Sequence, residues 1–332
     1  MIDKLIDKTL HKLANIVVST CSNSTRISLG LLKGKLGVVI FLLHYAKYYN
    51  KDKYEVYATD LLEYIIDNSI IHNSRNVIID NLIDIGIVTN YMDSQELVTG
   101  DLNNFLEEID SFLLIYLNNK NSLYLTYQEL TTIGKYYLLR IESELSSANH
   151  LHHIKAIEKI VKLLKLHIIN TSICNPAIVK FLYLSSKVLS DKSIESLLIQ
   201  QLNNYPNRKE WYRSSIPNWF GSFFIPEDNE PLKNIIIKEI EEHSRKYLDN
   251  DWSDALESGT AGLIVWMNLI SDYLLEDKYI NIKDMAIKKI VSNINQYKVL
   301  TDISIYRGCS GIGLALLSCL DSKCTTQWIK LL

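Results

Sequence analysis

The residues best suited to chemistry gather at a few glycine-marked points. Glu257 and Ser258 precede Gly259, Tyr306 and Arg307 precede Gly308 and Cys309, and Trp219 and Phe220 precede Gly221. A carboxylate, a guanidinium and aromatic rings in such company suit the binding of an extended peptide. A desolvated Glu257 would also move a proton, with Arg307 steadying an anion. The plainer alternative is a polar rim in which Glu257 and Arg307 have no catalytic duty. The tract Trp211–Pro226 is the most aromatic part of the chain, with two of its prolines. Exposed aromatics mark interaction surfaces, although a loop packed over the rest of the protein explains them equally well.

Thiols and imidazoles come next. The five cysteines (Cys21, Cys174, Cys309, Cys319 and Cys324) are odd in number and form no C-x-x-C pair, so neither a disulfide framework nor a zinc knuckle is indicated. Cys174 and Cys309 each open a helix, where packing is the ordinary role. His150, His152 and His153 read as a polar, solvated stretch ahead of a helix. From these residues no metal or other cofactor is expected.

Positioning such residues requires elements, and the elements are helices. Segments such as Ile154–Ile169 and Leu232–Tyr247 carry apolar residues at i, i+3, i+4 and i+7, and no useful length of period-2 alternation occurs. Short polar joints separate them at Tyr48–Lys53, Ile71–Arg75, Asn118–Ser122 and Ser190–Lys192. Only 12 glycines occur, so their placement is informative. Gly34-x-x-Gly37, Gly259-x-x-Gly262 and Gly308-x-x-Gly311 each lead into an apolar helix, and Gly86 and Gly134 keep the same register singly. Taking Gly37, Asp84, Thr132, Ala177, Phe224, Gly262 and Gly311 as equivalent gives a period of about 47 residues, shortened once to about 38. Seven two-helix units fit the chain. Small residues at each inner helix start suit a crowded ring, with amide N–H groups free for a ligand at its mouth. An open solenoid of helix pairs is the alternative.

Bulk properties narrow the classes. The 332 residues carry a net charge of −3 with acids and bases interspersed, which excludes the basic patches of nucleic-acid binders. Charges interrupt the apolar residues of Met1–Val18, so a secretory signal is not expected. The longest apolar run, Val38–Leu43, is far too short for an integral membrane segment. The expected location is cytoplasmic.

The same segments resemble the lanthionine synthetase C-like family. Leu82-Ile-Asp-Ile-Gly86-Ile-Val-Thr-Asn-Tyr91, then Gly100-Asp101 and Leu106-Glu-Glu-Ile-Asp110, is similar to that family's second repeat, and Gly311-Ile-Gly-Leu-Ala-Leu-Leu-Ser318 with Asp321 and Trp328 is similar to its ending. The likeness runs from about Ser28 to Leu332. It implies an all-α fold, an α/α toroid of seven helical hairpins forming one domain over 1–332, with residues 1–27 as an N-terminal helix leading into the ring. Active members hold zinc through two cysteines and a histidine and add a peptide thiolate to a dehydroamino acid, closing a thioether. Here the family's Cys-His-Gly reads Glu257-Ser258-Gly259, its other cysteine falls on Trp219, and its His-Gly-x-Pro-Gly becomes Ile173-Cys-Asn-Pro-Ala177. All three ligand positions are altered.

What the resemblance implies is therefore a zinc-free participant in maturation of a ribosomally made, lanthipeptide-type peptide. Its partners would be the precursor peptide and a lanthipeptide dehydratase or another modification enzyme. Trp219, Phe220, Ser258, Tyr306 and Cys309 would contact the peptide. The enzymatic alternative is a metal-independent thioether cyclase with Glu257 as base and Arg307 as enolate stabiliser. A helical-toroid glycosidase would need two well-placed carboxylates, and no such pair stands out.

Overall fold

The structure, a computed structural model, describes residues 2–23, 27–69, 75–97, 102–119, 125–143, 149–170, 175–189, 191–203, 223–249, 253–257, 259–270, 277–296, 301–321, 324 and 327–332. Among these the protein is all helical, with 13 α-helices and no strand. In order they are α1 (Ile2–Asn23), α2 (Lys35–Tyr49), α3 (Asp52–Ser69), α4 (Arg75–Ser94), α5 (Asn103–Asn118), α6 (Tyr127–Ser143) and α7 (His150–Asn170). There follow α8 (Pro176–Val188), α9 (Lys192–Asn203), α10 (Glu230–Asp249), α11 (Thr260–Ile270), α12 (Asp277–Gln296) and α13 (Cys309–Leu320). Among the described residues no helix is long and apolar enough to cross a membrane. The chain divides into two compact units, one of Met1–Asn81 with Trp219–Leu332 and one of Leu82–Asn218.

Burial sorts the helices into two kinds. In the first unit α2 buries twelve of its fifteen residues, α11 nine of eleven and α13 ten of twelve. Helices so apolar all round must be enclosed on every side. By contrast α1 buries seven of 22 residues and α3 six of 18, each along one stripe. Each enclosed helix packs against a one-faced partner: α2 on α3 and α11 on α12, and in the second unit α6 on α7 and α8 on α9.

Successive enclosed helices interlock by one recurring contact. A Cβ added at Gly86 of α4 would lie 2.7 Å from the Tyr136 ring of α6, and one at Gly134 of α6 would lie 2.3–2.9 Å from the Phe181 ring of α8. In the first unit a Cβ at Gly313 of α13 would lie 2.2–2.8 Å from the Phe41 ring of α2. Absence of a side chain on one helix therefore makes room for an aromatic ring on the next. Gly86, Gly134 and Gly313 each lie two residues beyond the positions that the sequence period makes equivalent. The Gly313–Phe41 contact of α13 and α2 in the first unit is of the same kind as the two in the second unit.

The N-terminal helix is built into this arrangement. α1 packs on α13, α12 and α2, beside α13 as α3 lies beside α2. Its buried stripe is Ile6, Leu10, Leu13, Ala14, Val17 and Cys21. Lys12 donates to the carbonyl of Ile294 near the C-terminus of α12, where a cation is favoured. Tyr49 donates to Asp7 at 2.5 Å and Tyr54 to Asn15 at 2.7 Å, tying α2 and α3 to the same helix.

Gly134→Ala tests the interlock. Helix propensity alone would favour alanine by up to about 1 kcal/mol, but its methyl would collide with the Phe181 ring, and overpacking of this kind costs about 1–3 kcal/mol. The expected outcome is a lower denaturant midpoint in equilibrium unfolding; a raised midpoint would mean that α6 and α8 separate freely.

Candidate functional site

The three Gly-x-x-Gly segments fold into three copies of one loop, all in the first unit. They comprise residues 28–37, 253–262 and 302–311. In each, the amide of the first helical residue donates to a carbonyl seven residues earlier: Lys35 to Ser28 at 2.9 Å, Thr260 to Ser253 at 2.8 Å and Cys309 to Asp302 at 2.9 Å. The following amides do likewise, Leu36 to Leu29 at 3.1 Å, Gly262 to Ala255 at 3.4 Å and Gly311 to Ser304 at 3.3 Å. The loop therefore folds back over the helix end and supplies the acceptors that a helix N-terminus lacks.

This corrects the expectation that these amides point freely at a ligand. It also explains the glycines differently. Gly34 and Gly308 have extended backbones, with φ of −139° and −116°, which any residue can adopt. What they provide is space: a Cβ would stand 2.3 Å from the Ser28 carbonyl oxygen at Gly34 and 2.4 Å from that of Asp302 at Gly308. At Gly311 the Ile305 carbonyl oxygen would be only 1.8 Å away.

The loop tips join to one another. Glu257 N–H donates to the Tyr306 carbonyl at 2.9 Å, and Tyr306 N–H donates to the Leu32 carbonyl at 3.0 Å. Glu257, Tyr306 and Leu32 are equivalent positions in the three copies. One position earlier, Leu256, Ile305 and Leu31 anchor the tips in the core at 0–1% exposure. On top of this fixed base Tyr306 and Glu257 are half-buried and Arg307 is exposed.

Of the residues singled out in the sequence, Glu257 and Arg307 are brought together. Arg307 Nε lies 3.1 Å from Glu257 Oε2, with side-chain exposures of 71% and 36%. An ion pair this wet contributes about 0–1 kcal/mol. The condition under which Glu257 would act as a base, desolvation, is not met; its carboxylate is solvated and already neutralised by a guanidinium. Cys309 lies beneath the rim at 1% exposure rather than on it. Burial, then the nearby Asp302 carboxylate, pushes its thiol up to about 12. Trp219, Phe220 and Ser258, like Cys174, lie outside the described residues.

The other thiols are similarly quiet. Burial is the main cause in raising Cys319 to about 11 and Cys324 to about 12. Cys324 Sγ lies 3.5 Å from His44 Nδ1, and burial, aided by Lys47 against Asp321, lowers that imidazole to about 4. A protonated thiol beside a neutral ring is a pair of core groups, not an activated nucleophile. Among the described residues no group of three or more His, Cys, Asp or Glu side chains could hold a metal ion.

The histidines behave otherwise than expected. They lie in the first turn of α7, not ahead of it; His152 is exposed, but His153 is fully buried. Its Nε2 lies 3.1 Å from Asp110 Oδ2 in the core of the second unit. Arg140 donates to the same oxygen through Nη2 at 3.0 Å and to Asn90 through Nη1 at 3.3 Å. Tyr136 donates to Asp110 Oδ1 at 2.6 Å, and Tyr137 to its carbonyl at 3.1 Å. The missed signal was available: His153 stands on the apolar stripe of α7 with Ala156, Ile157 and Ile160. Sealed as it is, this cluster crosslinks α4, α5, α6 and α7 and offers no access to a ligand.

No protein-family model matches the chain, and no curated protein matches it significantly.

Two outcomes follow. Burial by itself would raise the Asp110 carboxyl, but hydrogen bonds from His153 and Tyr136 and the Arg140 charge outweigh it, so the folded group titrates below its ordinary range. Its stabilisation is present above the unfolded value of about 3.9 and lost as pH falls through the lower folded value. Asp110→Asn should therefore cost about 3–5 kcal/mol at pH 7, and the gap in unfolding midpoint from the parent should narrow below about pH 4. For the thiols, peptide mapping after iodoacetamide at pH 8 should find Cys309 and Cys324 unmodified in native protein and alkylated in denaturant. Rapid native labelling of Cys309 would show that its loop opens.

Proposed function

We propose that this protein is a zinc-independent, lanthionine synthetase C-like α/α toroid that binds a precursor peptide during maturation of a ribosomally made peptide. The observation that carries the proposal is the rim of three similar loops whose tips are tied to one another by backbone hydrogen bonds. Such a base is rigid, and rigidity lowers the ordering cost of binding. Its tips present the Tyr306 ring, the Glu257 carboxylate and the Arg307 guanidinium, a mixture suited to an extended peptide with polar and aromatic side chains. The seven-hairpin ring is supported by the Gly313–Phe41 contact, which repeats at the chain's two ends the packing of neighbouring helices. A cytoplasmic location, beside a peptide dehydratase, belongs to the same proposal.

The chemistry of the rim favours binding over ring closure. A metal-free cyclase would need Glu257 as a desolvated base, whereas its carboxylate is solvated and paired with Arg307.

The deciding experiment is a fluorescence-anisotropy titration with a labelled, unmodified lanthipeptide precursor, repeated with Glu257→Ala/Arg307→Ala. Binding by the parent, weakened at least about tenfold in the double variant (about 1.4 kcal/mol), is the expected result. Failure of both the precursor and a partner dehydratase to bind would end the proposal. Elemental analysis of protein purified without chelator should find far less than one zinc per chain; a stoichiometric metal would restore the zinc cyclase.

A further inference from the structure

The junction between the first and third loops is marked by charge. Lys33 and Arg307 hold the same position in their copies, one residue beyond Leu32 and Tyr306, and both are exposed. The Tyr306 amide donates to the Leu32 carbonyl at 3.0 Å, so the residues that follow are held side by side. That hydrogen bond and two short runs of backbone separate the Lys33 and Arg307 Cα atoms, a span of at most about 11 Å. Two long cationic side chains therefore flank one fixed junction, with Leu32 and Tyr306 half-buried between them.

At the loop tips these two cations face one carboxylate. Glu257 meets Arg307 at Nε, 3.1 Å away. The other acids stand at the feet of the loops and are engaged there: Asp254 accepts from Asn293 at 3.0 and 3.1 Å, and Asp302 from the Ser304 amide at 2.9 Å. Lys35 is buried, with Nζ 4.5 Å from the centre of the Tyr64 ring. Among the described residues Lys33 makes no hydrogen bond or ion pair, and Arg307 makes no side-chain contact beyond Glu257.

We propose that this junction recognises an acidic residue of the bound peptide. The peptide carboxylate accepts from the Lys33 ammonium and from the Nη groups of Arg307, while Leu32 and Tyr306 take an adjacent apolar or aromatic side chain. The assignment rests on the reading of the rim as a peptide-binding surface and specifies what that peptide carries. A guanidinium held through Nε by one carboxylate keeps its outer edge for a second, and charge-assisted hydrogen bonds of this kind are the stronger class. A basic peptide residue would instead find the one carboxylate already engaged and two cations beside it.

The test is a fluorescence-anisotropy cycle with two labelled precursor peptides, both amidated at the C-terminus so that only side chains supply carboxylates. One keeps its Asp and Glu residues; the other carries Asn and Gln in their place. Lys33→Gln should weaken the acidic peptide about fivefold, as a solvent-exposed ion pair allows, and leave the neutral one unchanged. Lys8→Gln, an exposed charge on α1, should change neither. Glu257→Gln, which releases Arg307, should tighten the acidic peptide about threefold. Lys33 is exposed and unpaired, so its replacement should leave the denaturant midpoint where it was. Equal binding of the two peptides, or equal loss of both in Lys33→Gln, overturns the proposal alone. Weakening by Glu257→Gln also overturns it, since the rim would then be taking a basic residue. A precursor that does not bind at all removes the peptide-binding reading along with it.

Discussion

Every α-helix begins with amide N–H groups that its own hydrogen-bond ladder cannot satisfy, and enclosing that end removes the water that would otherwise do so. In this protein the most enclosed helices begin in the core. Their first amides are met by carbonyls of the loop immediately before them, seven residues back, in three copies. Much else is a consequence. Folding a loop so tightly over a helix end leaves no room for a Cβ at Gly34, Gly259 or Gly308. It aims Leu31, Leu256 and Ile305 into the core and leaves Leu32, Lys33, Glu257, Tyr306 and Arg307 at least partly exposed. At the tip, Tyr306 and Glu257 stand where the first copy has Leu32, and Arg307 stands where it has Lys33.

A second constraint acts between helices. Gly86 on Tyr136, Gly134 on Phe181 and Gly313 on Phe41 are one contact made three times. It lets neighbouring helices approach more closely than two side chains would allow, and it fixes their register, since a shifted ring would meet a Cβ. Against that uniform packing the polar exceptions become legible. In the Asp110–Arg140–His153 cluster both cations meet one buried carboxylate oxygen, so it belongs to the architecture.

The helical class and the repeat register were legible because glycine is rare here and falls at fixed intervals. The sequence could not show for whom the small residues make space. A glycine that admits a ligand and one that admits the chain's own carbonyl look alike, and Gly34, Gly259 and Gly308 prove to be the second kind. Cys309 was misjudged for a related reason: the loop that precedes it covers it. His153 was hidden by its polar neighbours His150 and His152, although its spacing to Ala156 and Ile157 placed it on the buried face. For Trp219, Phe220 and Ser258 the sequence remains the only guide.

The placement of α1 beside α13 and α12 bears on how the protein is made. Lys12 and its partner Ile294 are separated by 282 residues. At a synthesis rate of about 5–20 residues per second, the first helix spends roughly 15–60 s outside the ribosome before its partner emerges. Through that interval its stripe of Ile6, Leu10, Leu13 and Val17 lacks the surface that will cover it. Helix α1 therefore cannot be covered early, and the growing polypeptide carries an adhesive segment while the intervening residues are made. The charges that interrupt that segment every few residues would keep it dispersed while it waits.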